Sequence, residues 1–156
     1  MTEKAADPIR PTDDEARDLA RDLIAGARHG ALGVIDPETG APMVTRIAVV
    51  PGQDGVPLTL VSTLSSHTAA LDADPNCSLL LGEPGERGDP LTHPRLTLQA
   101  RAEAADKGAL KAHYLGLYPK AQLYYDFGDF RLLRLVPVTA FPNGGFGKAY
   151  RMTPGD

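Results

Sequence analysis

The sequence predicts a mainly β, α+β fold: a six-stranded antiparallel barrel with helices at its periphery. Three observations point there. The apolar runs are short and set apart by turn residues, Gly and Pro supplying 16 and 14 of 156 positions. The strand-like runs follow one another mostly in hairpin order with helices inserted singly, unlike the alternation of a doubly wound sheet. Between Arg95 and Glu103, Leu96, Leu98 and Ala100 alternate with Thr97, Gln99 and Arg101, the signature of a strand with one buried face.

Each element has its own warrant. Thr12 can cap a first helix whose Asp13, Asp14 and Glu15 suit the positive end of its dipole and whose Leu19, Leu23 and Ile24 form an apolar stripe. It should stop near Arg28-His29-Gly30, with Gly30 as C-terminal punctuation. Strands follow at Ala31 to Ile35, Pro42 to Val50 and Pro57 to Ser62, separated by turns at 36–40 and 51–55. A hydroxyl-rich segment from Thr63 leads into a short helix that ends before Asp74-Pro75, and Cys77 to Leu81 returns to strand. A polar loop spans 82–90 ahead of the Arg95 to Glu103 strand. Ala104 to Leu117 reads as helix broken by Pro119, Ala121 to Tyr125 as a helical turn, and Phe127 to Val138 as the last strand.

The length fits one domain able to bury a substantial core. The expected organisation is a flexible N-terminus over 1–11, a single domain over 12–150 and a tail over 151–156. Lys and Arg number 16 against 20 Asp and Glu, a net charge of −4 that argues against nucleic acid as a partner. Cys77 is the sole cysteine and sits in an apolar run, which suits a small core hydrophobe better than a reactive thiol. Nothing resembles a membrane span or a signal peptide, so a cytoplasmic location with no membrane partner is expected. All nine aromatic residues fall between Tyr114 and Tyr150. Plain packing is one role for them; Phe141, Phe146 and Tyr150, in or beside a Gly-rich tail, are candidates for lining a flat ligand's pocket.

Chemistry is most concentrated in Ser62-Thr63-Leu64-Ser65-Ser66-His67-Thr68, which sets five hydroxyls and an imidazole at a strand-to-helix junction. The first N–H groups of a helix point outward there and can hold an anion, or a Ser can simply cap them. Arg46 lies mid-strand among apolar neighbours, where a cation needs a partner or an edge open to solvent. If the strands of Arg46 and Ser62 pair through the 51–55 turn, the guanidinium reaches the junction and a phosphate pocket results. His29, His67, His93 and His113 show no metal-ligand spacing, so no metal site is expected. Asp126-Phe127-Gly128 has the letters of a kinase triplet but none of its companions, and reads as a turn. Gly-x-Ser-x-Gly is absent and no nucleophile stands out.

The ordered set Gly30-Ala31-Leu32-Gly33, Pro42-Met43-Val44-Thr45-Arg46, Ser62 through Leu71, Asp74 through Leu80 and Arg95 through Ala100 resembles the FMN-binding split barrels related to pyridoxamine 5′-phosphate oxidase. Within them it looks most like the heme-utilisation, HugZ-like branch, whose junction carries a similar Ser-x-Leu-x-x-His-Thr-x-x-Leu pattern. The match covers about residues 28–147. It implies a split barrel, a homodimer, and FMN held in clefts at the subunit interface, with heme as the alternative ligand. By position it implies that Arg46, Ser62, Ser66, His67 and Thr68 surround the FMN phosphate. Ile47, Ala48 and Val61 would lie by the ribityl chain or ring through backbone and apolar contacts, and Arg95 near the isoalloxazine.

Three departures shape the expected activity. The oxidase branch usually has Arg-Lys where this chain has His67-Thr68, which removes up to two cations from the phosphate. That branch also ends in a Trp- and Arg-bearing segment for its substrate, whereas this chain has no Trp, so oxidation of pyridoxamine phosphate is not expected. There is no His after His113 to match the C-terminal heme ligand of the heme-utilisation proteins, so heme cleavage is not expected either. What the resemblance implies is an FMN-dependent oxidoreductase acting on a small planar substrate. The alternatives are a non-catalytic heme- or flavin-binding protein of the same fold, and a barrel whose junction hydroxyls only cap a helix.

Overall fold

The computed structural model describes residues 9–10, 13–145 and 149–153. Its strands are β1 (Ile9–Arg10), β2 (His29–Ile35), β3 (Pro42–Ala48), β4 (Val50–Pro51), β5 (Pro57–Ser62), β6 (Asn76–Leu81), β7 (Arg95–Ala104), β8 (Phe130–Asn143) and β9 (Ala149–Tyr150). Its helices are α1 (Asp14–Gly26), α2 (Ser66–Ala73) and α3 (Lys111–Leu117), with short 3-10 turns at Pro90–Thr92 and Pro119–Leu123. The six expected runs are all strands. The count rises to nine because Val49 breaks the second run, its N–H leaving the ladder for Arg28 O, and because two short terminal strands pair in parallel.

The sheet runs β3-β2-β6-β7-β8, then turns onto β5 and β4, every one of these pairs antiparallel. The β4–β5 ladder lasts only two pairs, Val50 with Leu58 and Pro51 with Pro57, and Thr59 Oγ1 extends it by donating to Ala48 O at 2.6 Å. Beyond that point β3 follows β2 and β5 follows β8, so the barrel is split between them. β8 makes this possible through its 14-residue length: its first residues pair with β5 while the whole strand pairs with β7. A register shift between Gln99 and Ala100 supplies the local bend.

The strands bury their inward positions as the period-2 rule requires. Leu32, Val34, Leu79, Leu81, Leu96, Leu98 and Ala100 are buried, and with Ile47, Val49 and Val61 they make the barrel core. Helix α1 lays Ala16 and Ala20 on that core, with Leu23 and Ile24 beside them. Its cap is Asp13, whose carboxylate accepts from Ala16 N at 2.8 Å, one residue after the expected Thr12. The helix ends at Gly26, earlier than expected, because His29 and Gly30 already belong to β2. Gly30 is a close-packing residue rather than a helix stop: a Cβ there would lie 2.9 Å from Leu79 and Leu81 side-chain carbons and 3.0 Å from Leu80 O.

A second, smaller core lies on the other side of β5 and β8. It is formed by Val50, Leu58, Leu60 and Leu132 against Tyr114, Ala121 and Tyr125, with Tyr118, Tyr124 and Phe130 around them. The helix expected over Ala104 to Leu117 is confined to α3. Ala104 is still strand, and Asp106 accepts from Ala109 N to form a turn before the helix. Tyr150 is buried in the barrel core, so it does not line a ligand pocket. Phe141 is half-buried beneath the Arg151 guanidinium, and Phe146 lies outside the described residues. No helix among the described residues is long and apolar enough to cross a membrane.

Candidate functional site

Arg46, Ile47 and Ala48 lie on β3 and Val61 and Ser62 on β5, the two strands that flank the split, while Ser66, His67 and Thr68 begin α2. Arg46 is exposed on β3, and its guanidinium has no hydrogen bond or ion pair among the described residues. The expected pairing of its strand with that of Ser62 occurs only at the far end of the hairpin, so the two residues flank the split instead of facing each other in a ladder. Helix α2 packs against β2. It begins four residues after β5 and presses Ala70 and Leu71 into the barrel core, and its His67 Nδ1 lies 3.2 Å from Thr45 Oγ1 on β3.

The junction's hydroxyls divide into two groups. Thr68 is buried and donates its O–H to Ser62 O at 2.6 Å, so it fixes the turn and has no proton left for a ligand. Ser62 Oγ accepts from Leu64 N at 3.1 Å, which leaves its own O–H free to donate outward. Ser66 is exposed, and the N-cap Ser65 makes no side-chain cap bond, so the first N–H groups of α2 have no hydroxyl oxygen upon them. Asp129 O accepts from Thr63 N at 2.7 Å and ties the turn to the end of β8, while Lys107 holds the preceding loop through Phe127 O and Phe130 O. Ser62 and Ser66 thus keep hydroxyl protons, and the start of α2 keeps backbone N–H groups, of the kind that can donate to an anion.

Electrostatics refine His67. Burial lowers its pKa, and the positive end of α2 also disfavours an imidazolium, so the ring acts as a neutral hydrogen-bonding group. Ile47 and Val61 turn their side chains into the barrel core, which leaves their backbone as what a ligand could meet; Ala48 O is already taken by Thr59. Arg95 is not with the others. β6 and β2 separate its strand from β3, about 14 Å of sheet, and its guanidinium donates to Leu91 O and His93 O. Thr45 was missed as a site residue, although the alternation around Arg46 places it on the opposite, inward face, where a hydroxyl needs a partner.

The remaining histidines have structural partners. His93 gathers the 82–94 loop through Gly85 N and Arg87 O, His113 reaches Pro51 O at 2.7 Å, and His29 is 3.9 Å from Glu83. Among the described residues no three His, Cys, Asp or Glu side chains cluster as a metal site. The barrel's outer face carries a trough of about 510 Å³ where Gly33, Ser78 and Gln99 leave room between Ile35 and Val138. Exposed Val44 and Leu80 extend its apolar character.

Comparison with known proteins identifies the family. The family model described as pyridoxamine 5′-phosphate oxidase matches residues 16–142. The chloroplastic heme oxygenase HOZ of Arabidopsis thaliana is 34% identical over 135 residues, covering 83% of this chain but 40% of that protein. The chain therefore spans less than half the length of that curated relative. A solved structure 47% identical covers 92% of this chain and 95% of its own, with a TM-score of 0.86. The heme binding protein of Mycobacterium smegmatis is 28% identical over 93% of this chain and 59% of its own, with a TM-score of 0.80. The chain belongs to the pyridoxamine 5′-phosphate oxidase family, and its relatives include heme-handling proteins.

Proposed function

We propose that this protein is a homodimeric FMN-binding oxidoreductase acting on a small planar substrate. The observation that carries the reading is an Arg46 guanidinium on β3 without a partner among the described residues, together with an α2 start whose N-cap Ser65 makes no side-chain cap bond, the two elements being joined by the Thr45–His67 contact. Arg46, the Ser62 and Ser66 hydroxyls and the α2 N-terminus would hold the phosphate, and the backbone of Ile47 and Val61 would border the rest of the cofactor. Bound FMN would supply hydride or electron exchange with the substrate. Two copies would meet through the outer sheet face, where the trough and exposed Val44, Leu80 and Val138 offer an apolar surface. A partner is needed to enclose a ring at so open a site, and Arg95 would approach it from one of the two subunits.

A second reading is a heme-binding protein without turnover, favoured by the relatives named for heme. One spectrum separates the two. Flavin bands, in the purified protein or after adding FMN, support the first reading, and Arg46→Ala should then weaken FMN binding roughly ten- to a hundredfold. A Soret band on adding heme, with no response to FMN at high concentration, supports the second. Turnover of reduced nicotinamide with an electron acceptor, above that of free FMN, marks an enzyme; a storage protein gives none.

A further inference from the structure

His67 is the second residue of α2, and its surroundings are those of a neutral hydrogen-bonding group. Its ring is half-buried in the first turn of α2, and Thr45 Oγ1 is its hydrogen-bond partner at 3.2 Å. That contact crosses the split, from the helix that follows β5 to the inward side of β3, where Thr45 is opposite buried Leu32.

Two hydrogen-bonding arrangements are available, and they are not equivalent. If Nδ1 carried the proton and donated to Thr45, the Thr45 O–H would have no acceptor among the described residues, and Nε2 would present a lone pair at the opening. If Thr45 donates to Nδ1, its hydroxyl proton is satisfied and the ring proton sits on Nε2, which has no partner among the described residues. The second arrangement pairs the Thr45 hydroxyl proton and leaves only the Nε2–H without a partner among the described residues, which turns the imidazole into a donor.

We infer that Thr45 is a positioning residue that holds His67 as the neutral Nε2–H tautomer, so that an anion at the start of α2 meets a neutral N–H donor. The inference rests on the phosphate-site reading for its purpose, but not for its geometry. The other charged or titratable side chains of the elements that meet here, β2, β3 and α2, are His29, Arg46 and Asp72. Asp72 is paired with Arg131, and His29 lies by Glu83. Arg46 stands on the face of β3 opposite to Thr45, so it does not compete for the ring.

The test combines nitrogen-resolved NMR of histidine-labelled full-length protein with FMN titration. At pH 7 the wild type should show His67 with one proton, on Nε2. Thr45→Val should lose that single-tautomer signature and weaken FMN binding roughly three- to tenfold, and Thr45→Ser should restore both. A ring protonated on Nδ1, a doubly protonated ring at pH 7, or a Thr45→Val spectrum like the wild type would overturn the inference. If wild-type protein ignores FMN while the Nε2–H tautomer and its dependence on Thr45 are present, the positioning role stands and the flavin reading fails.

Discussion

Arg131 and Asp72 face each other as a two-pronged pair, the guanidinium nitrogens 3.0 and 2.9 Å from the two carboxylate oxygens. The pair joins β8 to α2 at the end away from His67, so the helix is pinned to one side of the split by charge and to the other by the Thr45 contact. Both side chains are substantially exposed, at 42% and 58%, which makes the pair an orienting clasp more than a source of stability. Asp72→Asn should therefore lower unfolding free energy by under about 1 kcal/mol, with the loss fading in high salt. Chemical denaturation at low and high ionic strength measures it. The Arg131 guanidinium holds the Asp72 carboxyl below its ordinary value, so the clasp's contribution is present above about 3.8 and is lost only as pH falls below it.

The acid response at milder pH should come from His67. Its folded-state pKa is depressed by burial below the ordinary 6.5, so the unfolded chain takes up the proton first. Stability is thus intact above about 6.5 and declines as pH falls from there towards the folded value. Thermal melts of His67→Gln between pH 7 and 5 should show a shallower decline than the wild type. Equal slopes in the two proteins would assign the acid sensitivity to another group.

Gly30→Ala should cost more than any surface change. The added methyl meets two leucine side chains, which can shift, and the carbonyl of Leu80, which is fixed in the sheet. Overpacking of this kind costs about 1–3 kcal/mol, read as a fall in the denaturation midpoint without a change of fold.

Cys77 should behave as a core residue and not as a nucleophile. Burial, helped by Asp74, pushes its thiol up to about 11, and its Sγ lies 3.7 Å from Ala100 O. Thiol-modifying reagents at pH 8 should leave the native protein untouched and label it fully in denaturant. Rapid labelling of native protein would show that β6 opens locally.

How much of this was legible in the sequence follows from the range of the interactions involved. Period-2 alternation from Leu96 to Ala100 and turn residues at 36–40 are local signals, and the strands they implied are present. Gly30 was misread because a glycine that ends a helix and one that lets two strands approach look alike until Leu79 and Leu81 are placed beside it. The helix expected from Ala104 to Leu117 is shorter: Ala-rich sequence permits a helix, while the pairing of Ala104 with Leu133 and the Asp106 turn decide otherwise. At the candidate site, the residue types around Arg46 and Ser62 were visible. What was not visible is that Thr68 spends its hydroxyl on the turn, that Arg95 sits across the sheet, and that Thr45 reaches His67, since each depends on partners remote in sequence or on side-chain direction.

The two separate cores give the molecule an internal reporter. The chain has no Trp, and Tyr114, Tyr118, Tyr124 and Tyr125 all sit in the outer cluster, leaving only Tyr150 in the barrel. Near-ultraviolet signals therefore come chiefly from the region bounded by α3, while backbone dichroism is dominated by the β-sheet. Recording both during heating would reveal whether the outer cluster and the barrel melt together, using only chromophores the polypeptide already carries.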